Sequence, residues 1–359
     1  MDKKSAFVKM LERFWPKNKA KGLLAQTVFY DEINKDIFGV EAKDKILLGC
    51  WLLAPKDSDF YKFRFSFFVH PLVQKAGQYN TDPKIILGDK YRPFHAMAEF
   101  MNNAGIGLIY VIPETKDGKV ELGNIKDYDF KDIQWTFLSF QNSQFTPVSP
   151  AEFFGKWAGD RGRASYGGKW EADTKAKISR LNEDVLTELL LNEIFISGLV
   201  KTVLKKPLND PYDVDTFLVS LSQKHIFPME IKEKFPAISA KHKFFGIDAG
   251  RIMMLLRLCL PNDSNAVYLI RELDEQDNFI GWKYITLSDI IMTASWNLQA
   301  GGPGMGGQST QTIRLPYDYF KEFNAESVSE DNLQRIGNMP KDIKAAAKQF
   351  CSELYSKFY

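Results

Sequence analysis

Hydrophobic positions in this chain follow two periods. Ile46-Leu47-Leu48-Gly49-Cys50-Trp51-Leu52-Leu53 is an almost unbroken apolar run, the pattern of a buried strand. Phe63–Val69 first alternates and then turns apolar, and the spacing predicts a second strand paired with the first across the Pro55–Asp59 turn. Gly107–Ile112 reads as another strand. Helical spacing appears over 6–15, with Phe7, Met10, Leu11 and Phe14 on one side, and over Pro93–Ala104. It is strongest over 182–204, where Leu186, Leu189, Leu190, Glu193, Ile194, Ser197 and Val200 recur before Pro207 and Pro211 stop the helix.

The second half of the chain returns to strands. They are expected at Val214–Val219, Phe227–Lys232, Lys243–Asp248, Ala266–Leu273, Phe279–Ile285 and Ser309–Leu315. Asp248 is placed to cap a helix over Ala249–Leu260, Ser288 to cap another of about ten residues, and 328–356 is mostly helical. The fold class implied is α/β (mixed α+β), a central mixed sheet flanked by helices, with an α+β region over 1–150. A polar, locally basic stretch over 151–174 separates that region from 175–359.

At 359 residues the chain is long enough for one large or two moderate domains. Apolar residues make up 45% and charged residues 26%, values normal for a globular protein with a sizeable core. The 28 phenylalanines make that core aromatic. A net charge of +2 neither supports nor excludes nucleic acid, because basic residues can be segregated on one surface. Cys50, Cys259 and Cys351 are distant and odd in number, so neither a disulfide framework nor a zinc site follows. There is no hydrophobic leader and no run of 18 apolar residues, so the expectation is a cytoplasmic protein without a membrane partner.

Candidate chemistry centres on two neighbouring strands. Period-2 geometry puts Glu230 and Lys232 on one face of their strand, and Asp215 on the preceding strand can lie opposite them. Phosphodiester cleavage needs an activated water and neutralisation of the scissile phosphate. Paired carboxylates bind Mg²⁺, and a nearby ammonium can position or activate the water. The carbonyl of Ile231 is a further candidate metal ligand. Read as charge alone, Glu230–Lys234 would be a solvated edge strand.

Asp215 followed by Glu230-x-Lys232 resembles the PD-(D/E)xK nuclease superfamily, type II restriction endonucleases in particular. The resemblance covers roughly 182–260 and implies a restriction-endonuclease-like core. It implies Asp215 and Glu230 as metal-binding catalytic residues, Lys232 as the catalytic lysine, and an acidic residue from the preceding helix, Glu193 in preference to Glu188. It also implies Mg²⁺, double-stranded DNA and a homodimer that cuts both strands. The family's proline before the aspartate is replaced by Val214, which leaves Asp213 as a rival for the metal-binding position. Other readings are a repair or modification-dependent nuclease of the same superfamily, and an inactive DNA-binding or scaffold protein.

Two segments carry candidate DNA contacts. Arg161, Arg163 and Lys169 lie in a Gly-rich polar stretch suited to phosphates, against the alternative of a solvated loop. Gln308, Gln311 and Arg314 follow the Gly-rich loop 301–307 and have donors and acceptors suited to base edges, against the alternative of a structural hairpin. Alternation separates Gln308, Thr310, Thr312 and Arg314 from Ser309, Gln311 and Ile313. The loop lacks the Gly-Lys-Ser/Thr ending of a Walker motif, so no nucleotide cofactor is expected. His70, His95, His225 and His242 are dispersed, and His225 suits a turn or surface role.

Overall fold

A computed structural model describes residues 17–55, 63–78, 80–119, 133–155, 172–180, 187, 190–206, 212–222, 224–239, 241–299 and 311–358, with Val8 and Glu12. The chain divides into two compact units of interleaved segments. The first comprises 1–31, 50–91 and 106–213; the second comprises 32–49, 92–105 and 214–359. Each is a mixed sheet with helices, so the chain belongs to the mixed α/β class. Each unit gathers segments far apart in sequence.

In the first unit the second half of β1 (Ile46–Leu53) pairs antiparallel with β2 (Phe65–Val69), Trp51 opposite Phe67. After β3 (Gln74–Lys75), strand β4 (Gly107–Thr115) runs parallel to both β2 and β3. It continues antiparallel into β5 (Gln134–Gln141) and β6 (Gln144–Val148). Phe67 stacks on Phe154 with ring centroids 5.5 Å apart, and Phe153 and Phe195 close the same aromatic core. The expected helix over 182–204 winds as a wider π-helix over Ile194–Val203, with the Leu204 amide reaching back five residues to the Leu199 carbonyl.

The second unit holds the motif strands. β7 (Tyr212–Val219) and β8 (Ile226–Lys234) form an antiparallel pair. β9 (Ala237–Ser239), β10 (His242–Asp248) and helix α1 (Ala249–Cys259) then carry the chain to β11 (Val267–Leu273), which runs parallel to β8. β12 (Phe279–Thr286) adds antiparallel to β11. Residues 46–49 of β1 flank β7, where Thr216 Oγ1 donates to the Leu47 carbonyl at 2.5 Å. β8 is thus an interior strand, and a solvated edge is ruled out for its motif residues.

β10 belongs instead to a separate four-stranded sheet with β9, β13 (Ser295–Gln299) and β14 (Thr312–Pro316). Asp248 caps α1 as expected, its carboxylate accepting from the Gly250 amide at 2.6 Å. The next helix, α2 (Leu287–Thr293), is capped by Thr286 rather than Ser288, because β12 runs straight into it and Thr286 is its first hydroxyl. Helices α3 (Glu330–Gly337) and α4 (Lys341–Phe358) fill the expected C-terminal helical region. The expected helix over 6–15 lies almost wholly outside the described residues. Among the described residues no helix is long and apolar enough to cross a membrane.

Candidate active site

β7 and β8 keep regular register from Val219–Ile226 to Thr216–Met229. One step beyond, the Asp215 side chain takes over from its backbone: Oδ2 accepts the Ile231 amide at 2.6 Å. The strands are fixed there from the other side by Gly49. A Cβ on Gly49 would lie 1.8 Å from the Val214 carbonyl oxygen and 2.6 Å from that of Asp215, so only glycine permits this approach. In an extended strand the N–H and C=O of one residue point the same way. The Ile231 carbonyl is therefore directed toward the edge on which Asp215 lies.

The alternation read from the sequence brings Asp215, Glu230 and Lys232 together. Lys232 Nζ is 2.6 Å from Glu230 Oε1 and 3.6 Å from Asp215 Oδ2. The side chains of Asp215 and Glu230 are 1% and 0% exposed, whereas that of Lys232 keeps 32%. The lysine is thus the member of the trio open to a molecule arriving from solution.

Glu230 is the most deeply buried of the three. Lys232 and Arg251 lie at ion-pair distance, with Arg251 Nε 3.4 Å from Oε1. Neither pair has the alignment of a hydrogen bond: both carboxylate oxygens are buried without a hydrogen-bond partner among the described residues. A buried carboxylate left in this state is costly unless a further ligand completes it. Among the described residues no three His, Cys, Asp or Glu side chains converge on a metal position.

Arg251 and Tyr268 are neighbours that carry no signal in the sequence, whereas Lys234 shares the parity of Glu230 and Lys232. Arg251 comes from the first turn of α1, which the Asp248 cap orients. Tyr268 stands opposite Glu230 in the parallel register and donates to the Gly246 carbonyl at 3.0 Å. Burial, with Glu230 and Asp215 nearby, holds the Tyr268 phenol well above its ordinary pKa, so it remains a donor. Lys234 continues the Glu230–Lys232 face and also donates to the Gly246 carbonyl. Burial and the Lys232 charge lower its pKa to about 8, against Glu230 and Asp248, which raise it.

Glu193 is 3% exposed and belongs to the first unit, whereas Asp215, Glu230 and Lys232 belong to the second. Glu188, Arg161, Arg163, Lys169 and Gln308 lie outside the described residues. Gln311 precedes β14 and uses its carbonyl to accept the Ala249 amide at 2.9 Å. Its parity is that of the buried Ile313 and Leu315. Arg314, opposite Gly246, stacks its guanidinium 4.6 Å from the Phe244 ring centre and lies 3.3 Å from Ser239 Oγ. Asp213 is half-buried on the same parity as Asp215. His225 packs against α3, where a Cβ on Gly337 would come within 2.3 Å of its ring.

Comparison of the chain with protein-family models, with curated proteins and with solved structures gives no match. The functional reading therefore stands on the residues themselves.

Proposed function

We propose that this protein is a Mg²⁺-dependent, sequence-specific endonuclease of the type II restriction class, hydrolysing phosphodiester bonds in both strands of duplex DNA. The observation that carries the reading is the Asp215–Lys232–Glu230 trio. Lys232 Nζ lies between the two buried carboxylates, and both oxygens of Glu230 lack hydrogen bonds among the described residues.

The donor set fits a hard cation. Mg²⁺ typically takes one or two protein carboxylates and fills its other positions with water and phosphate oxygens. Asp215 and Glu230 would hold it, with the Ile231 carbonyl directed toward the same edge. When bound, the ion would lower the pKa of a water and offset charge on the scissile phosphate.

The protein's own residues have separate tasks. Asp215, anchored by the Ile231 amide, fixes the end of β7 against β8. Lys232 orients the attacking water and offers its ammonium to the phosphate from the solvent side of the trio. Arg251 balances the Glu230 charge from behind. Arg161, Arg163, Lys169, Gln308, Gln311 and Arg314 remain proposed DNA contacts, and Glu193 a proposed acidic partner. Cutting both strands of a symmetric target calls for two symmetry-related sites, hence a homodimer.

The test is digestion of unmethylated phage and genomic DNA with Mg²⁺, followed by end sequencing. Discrete fragments with a common end sequence, lost in Asp215→Ala and Lys232→Ala, are expected. Normal cleavage by both variants would overturn the site. Cleavage confined to methylated DNA would assign a modification-dependent nuclease. DNA retention with no cut under any divalent metal would assign a binding protein.

A further inference from the structure

Lys234 is a cation that the hydrolytic trio does not use. Strand alternation puts Glu230, Lys232 and Lys234 on one face of β8, and Lys232 pairs back with Glu230. Lys234 makes no ion pair among the described residues. Its ammonium instead turns onto the Gly246 carbonyl and sits 6.0 Å from the Tyr268 ring centre. The residue as a whole is half-buried. The carboxylates of Glu230 and Asp248 act on it only from beyond ion-pair distance, and its three N–H donors are not exhausted by one carbonyl. An anionic ligand would give the other donors a partner.

Spacing suggests which anion. Two residues along an extended strand span about 6.6 Å. That interval is comparable with the step between successive phosphates of a nucleic-acid strand. The strand positions of Lys232 and Lys234 are therefore spaced like two neighbouring phosphates, with the ammonium groups turned to Glu230 and to the Gly246 carbonyl respectively. Tyr268 and Gly246 hold the second ammonium in place: the Tyr268 hydroxyl and Lys234 share the Gly246 carbonyl. A Cβ on Gly246 would meet the Thr312 methyl at 2.7 Å, so a larger residue there would force that side chain to shift.

We propose that Lys234 binds the phosphate adjacent to the scissile one, setting the register of the DNA strand over Asp215, Glu230 and Lys232. This rests on the nuclease reading and adds to it a substrate-positioning subsite. The groups facing Lys234 are Glu230 and Lys232 on β8, Asp248 on β10 and Tyr268 on β11. With its pKa lowered to about 8, Lys234 loses its charge across a pH range in which arginine keeps it.

The experiment measures binding of a fluorescent duplex carrying the cut sequence, without divalent metal, by wild type, Lys234→Met and Lys234→Arg. Lys234→Met is expected to bind about tenfold more weakly. Its salt dependence should be shallower by about one unit of log K against log[salt], the signature of one lost phosphate contact. Wild-type affinity should fall between pH 7 and 9 while Lys234→Arg affinity does not. On cleavage, Lys234→Met should raise KM more than it lowers kcat. Unchanged affinity and salt slope in a folded Lys234→Met protein would overturn the subsite while leaving the nuclease reading intact. Failure of the wild type to bind or cut any duplex would overturn both.

Discussion

Asp215 and Ile231 are joined across β7 and β8 by a 2.6 Å hydrogen bond from backbone amide to carboxylate. A side chain thus completes a strand pair at the point where Glu230 and Lys232 meet Asp215. Asp215→Asn keeps an oxygen for the amide and should retain nearly full stability while losing DNA cleavage. Asp215→Ala leaves the buried amide unpaired and should also lose about 1–3 kcal/mol of folding stability. Urea unfolding and a plasmid cleavage assay on both variants separate the two roles. Equal stability of the two would show that the bond contributes nothing to the fold.

Gly49 touches no reacting group, yet its substitution should be severe. A methyl group there overlaps the Val214 and Asp215 carbonyl oxygens, and backbone cannot rotate aside as a side chain can. Gly49→Ala should cost stability at the upper end of the roughly 1–3 kcal/mol typical of overpacking. It should depress cleavage as well. Denaturant melts alongside kcat measurement check this; a fully stable, fully active variant would refute the close approach.

Glu230 gives a test of metal binding independent of cleavage. Wild-type Tm should rise on addition of Mg²⁺, because a ligand bound only by the folded state stabilises it. Glu230→Gln should abolish both that rise and cleavage. In metal-free buffer its Tm should drop by less than that of Arg251→Ala, which leaves the Glu230 charge with one fewer cation. Differential scanning calorimetry with and without Mg²⁺ reads all three. An identical Mg²⁺ response in Glu230→Gln would remove this residue from the metal site.

His70 makes the first unit acid-sensitive. Burial lowers its pKa from 6.5 to about 4; its ring contacts the Tyr110 hydroxyl at 2.9 Å and Gln74 at 3.0 Å. The unfolded chain takes up the proton first, so stability is complete above pH 6.5 and declines as pH falls toward 4. The loss at the acid end is up to about 3 kcal/mol. Tm should therefore fall more steeply between pH 7 and 4.5 in wild type than in His70→Gln. Parallel slopes would exclude His70 as the cause.

The trio was legible in the sequence because strand alternation is a local rule: Glu230-x-Lys232 had to share a face, and Asp215 had one strand on which to meet them. Most strands could be read from equally local patterns, since buried runs such as Ile46–Leu53 and Leu108–Ile112 stay apolar throughout or nearly so. Arg251, Tyr268 and Gly246 were not legible as site neighbours. They arrive through the α1 cap, a parallel register and a second sheet, none of which leaves a spacing near Glu230. The π-helix escaped notice too, because apolar spacing reports which side of a helix is buried and not how tightly it is wound. Ser288 lost the capping role to Thr286 because β12 continues to Thr286 and α2 starts directly after it.

The hydrogen bond from Thr216 to Leu47 joins residues 169 positions apart. At the ribosome the partner of β7 emerges long before β7 itself, and residues 46–49 must wait for most of the first unit to be synthesised. Such distant pairing slows folding and leaves an apolar strand without its neighbour in the interval. A fragment beginning at residue 175 would never acquire that neighbour. The nascent chain thus exposes residues 46–49 until β7 has been made.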